Sequence, residues 1–246
     1  MKKSAYGTPY ALPFVWESMK QLQLQPRLQL LSTLIPQGAH LVDVGTDHGY
    51  LPVYLLQQGK IQSAIATDIG EEPLLHARRT ATEYEITDID FRLCDGLQGV
   101  SPDEVDTIVV AGMGGETIIS ILTASQWTRE GKTLLLQPMT KVELLRSWLT
   151  ENGYAFLQER LVWDKGILYP VFIVSGGELH TLTAVEQYAG VAMENDPLYK
   201  EYLTHQMSRL QKAIDGLNRA NDCCSHGRAC EFEAIRKALE EKRSKL

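Results

Sequence analysis

The sequence lacks the long apolar runs and targeting signals that mark membrane and secreted proteins. No stretch approaches the roughly 20 apolar residues needed to span a bilayer. The first residues carry two lysines, but Gly7, Pro9 and Pro13 interrupt the stretch that follows, which therefore does not resemble a signal peptide. We expect a cytoplasmic protein in which residues 1–20 form an N-terminal extension of unassigned role.

Cysteine is scarce and poorly spaced for disulfides or for a metal. The chain has 4 cysteines, and the adjacent Cys223 and Cys224 cannot easily bond to each other. Zinc sites usually combine two cysteines two to four residues apart with a matching second pair. The group formed by Cys223, Cys224, His226 and Cys230 has no such pairs. We therefore expect reduced thiols and no bound metal.

Positive charge is in the minority, because 24 lysines and arginines face 31 aspartates and glutamates, for a net charge of -7. This balance counts against the overall basic surface of many nucleic-acid binders, but it allows a local basic patch. Basic residues are concentrated between Arg209 and Lys245, with acids among them. A solvated helix surface is the default interpretation of this region, and phosphate contact is the alternative.

The most informative stretch is an apolar strand that runs into a glycine-rich turn. Residues 41–44 predict a buried strand, residues 45–49 a turn and residues 50–58 a helix, which together form a ligand cradle in α/β folds. The glycine spacing differs from the Gly-x-Gly-x-x-Gly pattern of dinucleotide sites. Asp43 and Asp47 would repel a pyrophosphate but suit a ligand with an ammonium group and hydroxyls, such as S-adenosylmethionine. An ordinary tight turn is the alternative.

The rest of the chain predicts five strand–helix units followed by a hairpin. The predicted strands cover residues 40–44, 61–67, 90–94, 106–111, 132–136, 155–163 and 167–174. Alternating strands and helices imply a parallel sheet with helices on both faces, and the hairpin through Asp164-Lys165-Gly166 adds an antiparallel strand. Seven strands in this arrangement, with the last antiparallel, resemble the α/β, Rossmann-like methyltransferase sheet, and this resemblance implies such a domain over residues 21–178.

Helical signals alone follow Gly176-Gly177. They cover residues 181–193, 198–218 and 231–245, preceded by a predicted helix at residues 22–34 at the other end of the sheet domain. Apolar residues of the long middle segment fall close to one face, so this helix should pack against a partner helix. Residues 179–246 are predicted to form a small α-helical, coiled-coil-like C-terminal domain.

Acidic and glycine residues follow four of the predicted strands. They are Asp43 with Gly45, Asp68, Asp95 with Gly96, and residues 112–115. The carboxyl ends of parallel strands meet at one edge, where α/β proteins bind ligands. Asp68 is placed to accept hydrogen bonds from ribose hydroxyls, Asp95 to meet an adenine amine, and Asp43 to face a methionine group. Each aspartate alone could instead be a helix cap or turn residue.

Residues 41–52 (LVDVGTDHGYLP) and 110–115 (VAGMGG) resemble the bacterial tRNA adenine-N1 methyltransferases that act on position 22. The resemblance extends to Arg27-Leu28, Gln137-Pro138 and the C-terminal helices. It implies S-adenosylmethionine as methyl donor and tRNA as partner. The implied cofactor-binding residues are Arg27, Asp43, Gly45, Thr46, His48, Gly49, Asp68, Ile69, Asp95, Gly96 and Ala111. The implied catalytic residues beside the acceptor base are Asp47, Gly112, Met113, Gly114 and Gly115.

The implied chemistry requires no strong general base, because N1 of adenine carries an unprotonated lone pair at neutral pH. Catalysis can rest on positioning and on a site that tolerates a cationic product. The base must be unpaired or flipped, and a flexible glycine loop would let the backbone approach its flat ring. Alternatives are a methyltransferase for another RNA site, a protein or a small molecule, and a non-catalytic RNA-binding protein with a relic donor site. The oligomeric state stays open.

Overall fold

The computed structural model describes residues 21–219 and 223–246, so the predicted N-terminal extension lies outside the described residues. The elements in chain order are α1 (Pro26–Leu34), β1 (Ala39–Val44), α2 (Tyr50–Gln57), β2 (Ile61–Asp68), α3 (Glu71–Glu83), β3 (Ile89–Leu93), β4 (Thr107–Gly114), α4 (Gly115–Ala124), β5 (Thr133–Thr140), α5 (Val142–Glu151), β6 (Tyr154–Asp164), β7 (Ile167–Gly176), α6 (Ala184–Ala189), α7 (Tyr199–Asn218) and α8 (Cys223–Ser244). Among these helices, not one is both long and apolar enough to cross a membrane.

The strands form one seven-stranded sheet in the order β3-β2-β1-β4-β5-β7-β6. The ladders among β1 to β5 are parallel, whereas β7 runs antiparallel to both β5 and β6. The strand order reverses between β1 and β4, and this is where open α/β sheets form a crevice for ligands. The predicted Rossmann-like sheet with a reversed last strand is confirmed.

The glycine segment, residues 112–115, differs from its prediction. It was expected to be a flexible loop after a strand that ends at residue 111, but β4 continues to Gly114. Met113 pairs with Pro138 and Gly114 with Thr140 across to β5, with two irregularities in the register. Glycines weaken strand propensity, which is why the sequence suggested a loop, yet the backbone ladder to β5 holds them in place. The expectation of a flexible loop is therefore wrong.

Three helices also begin or end at residues other than those predicted. The first begins at Pro26, because proline has no N–H to leave unpaired and suits the first helical position. The helix predicted over residues 181–193 is only α6, which begins directly after its N-cap Thr183, forms a capping box with Glu186 in its first turn, and ends before Gly190. The last helix begins at Cys223 rather than at residue 231.

The sheet buries apolar side chains on both faces, as the alternation along each strand requires. On one face, Val42 and Val110 pack with residues of α4 and α5. On the other face, Leu41 and Val109 pack with residues of α1 and α2. The central strands are thereby packed against helices on both faces of the sheet. This packing fixes the positions of their carboxyl ends.

The C-terminal helices pack on the sheet through a third apolar cluster and a buried ion pair. The cluster joins Leu161 of β6 and Leu168 of β7 to residues of α6, α7 and α8. Beside it, Arg146 of α5 donates to Glu159 of β6 from Nε at 3.2 Å and from Nη2 at 2.8 Å, and both side chains are fully buried. The predicted division at residue 178 stays a prediction, but the helices after it share a core with the sheet.

The same ion pair reaches into the helical part of the chain. Arg146 also donates to the Gln187 carbonyl and to the Tyr202 hydroxyl, and Glu159 accepts from the Val191 and Ala192 amides. The guanidinium lies 5.0 Å from the Phe172 ring centroid. Because each charged group has several partners, the pair can be buried without a large uncompensated desolvation cost.

We expect Arg146→Met to lower the free energy of unfolding by about 3–5 kcal/mol, because it leaves the Glu159 carboxylate buried without its cation. Denaturant unfolding measures the effect. The matched control is the double variant Arg146→Met with Glu159→Gln, which removes both charges and keeps an acceptor for the two amides. The double variant should recover a large part of the loss. If it is no more stable than the single variant, the buried charge is not the cause.

Candidate functional site

A pocket of about 210 Å³ lies at the carboxyl edge of the sheet, where β1, β4 and β5 end. We call it the strand-end pocket. It is lined by Gln25, Arg27, Leu28, Asp43, Gly45, Thr46, Asp47, His48, Tyr50, Leu51, Ala111, Gly112 and Gln137. It thus brings together Arg27, Asp43, Gly45, Thr46, Asp47, His48, Ala111 and Gly112 from the predicted set. Its volume is below the roughly 300–1,000 Å³ of typical ligand sites, so it suits one end of a larger ligand.

Asp43 forms a buried acidic wall of the strand-end pocket. The residue is 7% exposed, and its Oδ2 accepts a hydrogen bond of 2.7 Å from Thr46 Oγ1. The pKa of Asp43 is raised to about 6, mainly by burial and to a smaller extent by the charge of Asp68, while the Thr46 hydrogen bond lowers it. A buried carboxylate with this little compensation favours a cationic partner.

The turn from Gly45 to Gly49 brings the backbone close to its neighbours. Gly45 has φ +70°, and a Cβ at this position would overlap the Met113 methyl group of the glycine segment. Gly45 N and Thr46 N both donate to the Thr67 carbonyl of β2, at 2.8 and 3.0 Å. Asp47 has φ 50° and an exposed side chain. Left-handed backbone is strained for a residue other than glycine, and such strain is concentrated at functional sites.

Four other residues predicted to bind the methyl donor lie along the same sheet edge, outside the strand-end pocket. The Asp68 carboxylate lies beside the turn and accepts from Gly70 N at 2.9 Å and from Asp47 N at 3.4 Å. Ile69 is 76% exposed, and Asp95 is exposed. The Gly96 carbonyl accepts from Thr67 Oγ1 at 3.0 Å, which holds the β3 end next to the β2 end. These residues form an open shelf that leads away from the pocket.

Two of the predicted glycines have mainly packing roles. A Cβ at Gly49 would lie 3.0 Å from Ala77 Cβ of α3, and Gly49 is buried. A Cβ at Gly115 would lie 2.5 Å from the Lys141 carbonyl oxygen. Neither of these residues lines the strand-end pocket, and neither do Met113 and Gly114.

Gln137 is a site residue to which the sequence analysis gave no role. It is fully buried, and its Oε1 accepts from Gly112 N at 3.1 Å and from Arg27 Nη1 at 3.0 Å. Arg27 in turn donates from Nε to Asp164 Oδ2 at 2.5 Å. The sequence contains one indication of this role. Gln137 is a polar residue directly after the apolar residues 134–136, toward the carboxyl end of a central strand.

His48 lies in a stack of three rings at the edge of the strand-end pocket. Its ring centroid is 5.1 Å from that of Tyr50 and 5.0 Å from that of His76, and the planes are nearly parallel. Asp47, His48 and His76 have potential ligand atoms within 4.8 Å of one another. Parallel stacked imidazoles do not direct their nitrogens at a common point, so this arrangement is one of ring packing. The absence of a metal stays a prediction.

Comparisons with known proteins agree on one family. Residues 24–172 match the family described as "Methyltransferase domain". The chain is 32% identical over 213 residues to the tRNA (adenine(22)-N(1))-methyltransferase of Bacillus subtilis (strain 168), which covers 83% of this chain and 90% of that protein.

Two solved structures are similar along almost the whole chain. The B. subtilis M1A22 tRNA methyltransferase TrmK has a TM-score of 0.79 at 28% identity and covers 90% of this chain and 99% of its own. M. capricolum TrmK, in complex with the natural cofactor product S-adenosyl-homocysteine, has a TM-score of 0.75 at 27% identity and covers 88% and 98%.

We expect Asp43→Asn to stabilise the fold and, at the same time, to weaken ligand binding. Because the folded-state pKa is raised from 3.8 to about 6, ionisation of Asp43 destabilises the fold as the pH rises through this window. The shift corresponds to roughly 2–3 kcal/mol. Above pH 6 the variant should therefore melt at a higher temperature than the wild type. It should also bind S-adenosylmethionine at least about tenfold more weakly, because it has lost the charge that attracts an ammonium group.

Calorimetry and thermal melts at several pH values test this expectation. In the wild type, donor affinity should fall as the pH decreases below about 6, whereas in Asp43→Asn it should vary much less. Asp103→Asn is the matched control, since Asp103 is exposed and lies outside the strand-end pocket. Equal donor affinity in Asp43→Asn and the wild type would contradict the assigned role.

Proposed function

The chain belongs to the tRNA (adenine(22)-N(1))-methyltransferase family, and from this premise we propose that it transfers a methyl group from S-adenosylmethionine to N1 of an adenine in tRNA. The observation that carries the proposal is one pocket in which the acidic turn after β1 meets Gly112 near the carboxyl end of β4. A donor held by the first and an acceptor held by the second would be adjacent, as direct group transfer requires.

The chemistry of the residues at the sheet edge fits S-adenosylmethionine. The uncompensated carboxylate of Asp43 is matched to the ammonium group of the methionine part. Asp68 uses only part of its acceptor capacity on Gly70 and Asp47 and can accept from ribose hydroxyls. The exposed apolar side chain of Ile69 offers a surface for the adenine ring, and Asp95 an acceptor for its amine. These four assignments are part of the proposal.

On the acceptor side, Gly112 leaves room for a flat base. Its φ is +76°, and the closest atom to a hypothetical Cβ is Arg27 Nη1 at 4.0 Å, so the space over this backbone is open. A side chain would close that space and would also strain the backbone. Asp47 stands exposed at the same pocket, where its carboxylate can accept from the exocyclic amine of the target adenine.

Bound S-adenosylmethionine supplies an electrophilic methyl group on a sulfonium. The lone pair of adenine N1 forms the new bond to the methyl carbon while the carbon–sulfur bond breaks, and the positive charge passes from sulfur to the adenine. The residues of the chain therefore need to align N1 with the methyl group and to accommodate the new cation. The carboxylates of Asp43 and Asp47 provide negative charge near this path.

We extend the proposal to the cellular compartment of the protein and to the surface that contacts tRNA. An enzyme that modifies tRNA works where tRNA is, so we assign the protein to the cytoplasm. The basic residues of α7 and α8 are candidates for contact with the body of the tRNA, although Lys242 and Arg243 are already paired with Glu194 and Glu240. Removal of residues after 177 would not test this idea cleanly, because it would uncover Arg146 and Glu159.

Mass spectrometry of nucleosides tests the function. An unmodified tRNA transcript with adenine at position 22 is incubated with the protein and S-adenosylmethionine and is then digested. We expect an adenosine with one additional methyl group that elutes with the N1-methyl standard and not with the N6-methyl standard. A transcript with guanine at position 22 should remain unmodified. Methylation of that transcript would place the reaction at another site, and no methylation of either would overturn the proposal.

Gln137→Met should lower turnover by about tenfold to a hundredfold with a smaller effect on donor affinity. Methionine has a similar size, but its sulfur is a much weaker acceptor for Gly112 N and Arg27 than the amide oxygen, so the backbone beside the acceptor base is held less firmly. Single-turnover kinetics measures the change, and calorimetry measures donor binding. Gln137→Glu keeps the acceptor oxygens and is the matched control, which should be faster than Gln137→Met. Equal rates in both variants would show that the acceptor oxygen does not matter.

A further inference from the structure

A second cavity, of about 470 Å³, lies between the carboxyl end of β5 and helix α7. We call it the β5–α7 cleft. Its walls are residues 138–143, residues 167–170 at the start of β7, and Tyr202, His205, Gln206 and Arg209 of α7. The volume is within the roughly 300–1,000 Å³ of small-molecule sites. The cleft and the strand-end pocket are lined by different residues.

The two cavities are nevertheless immediate neighbours. Gln137 lines the strand-end pocket, and the next residue, Pro138, lines the β5–α7 cleft. Pro138 is also the register partner of Met113 in the glycine segment. Arg27 links the two sides, because its Nη1 lies 3.2 Å from Met139 Sδ and its guanidinium lies 5.1 Å from the Tyr169 ring centroid. The two cavities therefore meet at residues 137 and 138 of β5.

The rim of the cleft is suited to an anion. Lys141 and Arg209 are both exposed, and one stands on each side. Helix α5 begins directly after Lys141, without a side-chain cap, so its first N–H groups favour negative charge. Lys141 has φ 54°, a conformation that glycine or asparagine adopts at lower cost. Lys141 therefore occupies a strained backbone position in the wall of the cleft.

The interior of the cleft is suited to a group with hydrogen-bond donors. Glu143 Oε2 is buried and accepts no hydrogen bond among the described residues; it forms an ion pair with Arg209 Nη2 at 3.5 Å, and its side chain as a whole is 24% exposed. The rings of Tyr169 and Tyr202 contribute aromatic surface. A free phosphate would not need a buried carboxylate, and an apolar ligand would not need two cations at the rim. A phosphate joined to a flat base with an amino group matches both parts.

We propose that the β5–α7 cleft binds an unpaired nucleotide of the tRNA next to the target adenine. The phosphate lies at the rim between Lys141 and Arg209, and the base lies inside, where its amine donates to Glu143. Base–aromatic contacts with Tyr169 add affinity that does not depend strongly on sequence. This inference rests on the proposed function, since it takes tRNA as the acceptor. It adds a second nucleotide subsite to the one that holds the reacting base.

Two variants remove the rim charges one at a time. Arg209→Gln removes the cation of α7, and Lys141→Asn removes the other while placing a residue that tolerates the left-handed backbone. We expect each to raise the KM for tRNA about tenfold, to leave the affinity for S-adenosylmethionine unchanged, and to reduce the slope of log affinity against log salt by about 0.7–0.9. Arg79→Gln on α3 is the matched control, an exposed arginine outside both cavities.

A cross-linking experiment on the unaltered protein reads the position of the nucleotide directly. The tRNA carries 4-thiouridine in turn at each of the two nucleotides that flank the target adenine, and the cross-linked peptides are sequenced after irradiation. We expect one of the two to react within residues 167–170 or 202–209. Cross-links confined to residues outside the cleft would overturn the inference.

The outcomes separate the inference from the function on which it rests. If the wild type methylates tRNA while both rim variants keep the wild-type KM and salt slope, the cleft is not a nucleotide subsite and the proposed function stands. If the wild type binds tRNA without methylating it, the proposed function fails. The binding and cross-linking measurements then still test whether the cleft binds a nucleotide. If the wild type does not bind tRNA, both are overturned.

Discussion

The candidate site depends on one buried amide, because Gln137 must satisfy its hydrogen bonds inside the protein. Its oxygen accepts from Gly112 N and from Arg27, and its nitrogen donates to the Pro138 carbonyl at 3.1 Å. An unpaired buried polar group costs free energy, so these bonds define one arrangement of β4, β5 and α1. The backbone of β4 at Gly112 is therefore held in place by contacts within the protein.

Two buried acidic side chains, Glu159 and Asp43, differ in how far the surrounding protein compensates their negative charge. Glu159 has a guanidinium and two amides as partners, so its charge is compensated within the fold. Asp43 has one hydroxyl, and its pKa is raised to about 6. The first arrangement stabilises the docking of the helices on the sheet. The second costs stability above the pKa of Asp43, because the charged form is buried with a single hydroxyl as its partner.

Much of the fold and part of the candidate site could be predicted from the sequence, for identifiable reasons. Strand ends are visible because apolar runs stop at Asp43 and Asp68, and parallel topology then brings those ends together. The sequence could not indicate that β4 continues to Gly114, because the pairing of Met113 and Gly114 depends on β5 and not on their own propensity. The role of Gln137 was equally hidden, since Arg27 contacts it from 110 positions away in the sequence.

The ion pair between Arg27 and Asp164 spans 137 positions of the sequence. A ribosome makes the chain from its amino end, so the acidic turn after β1 emerges long before Asp164 does. Until β6 has left the exit tunnel, Arg27 has no carboxylate to hold it at the pocket. The newly made chain can thus form its central strands early, while the completed ligand pocket is among the last features of the sheet domain to appear during synthesis.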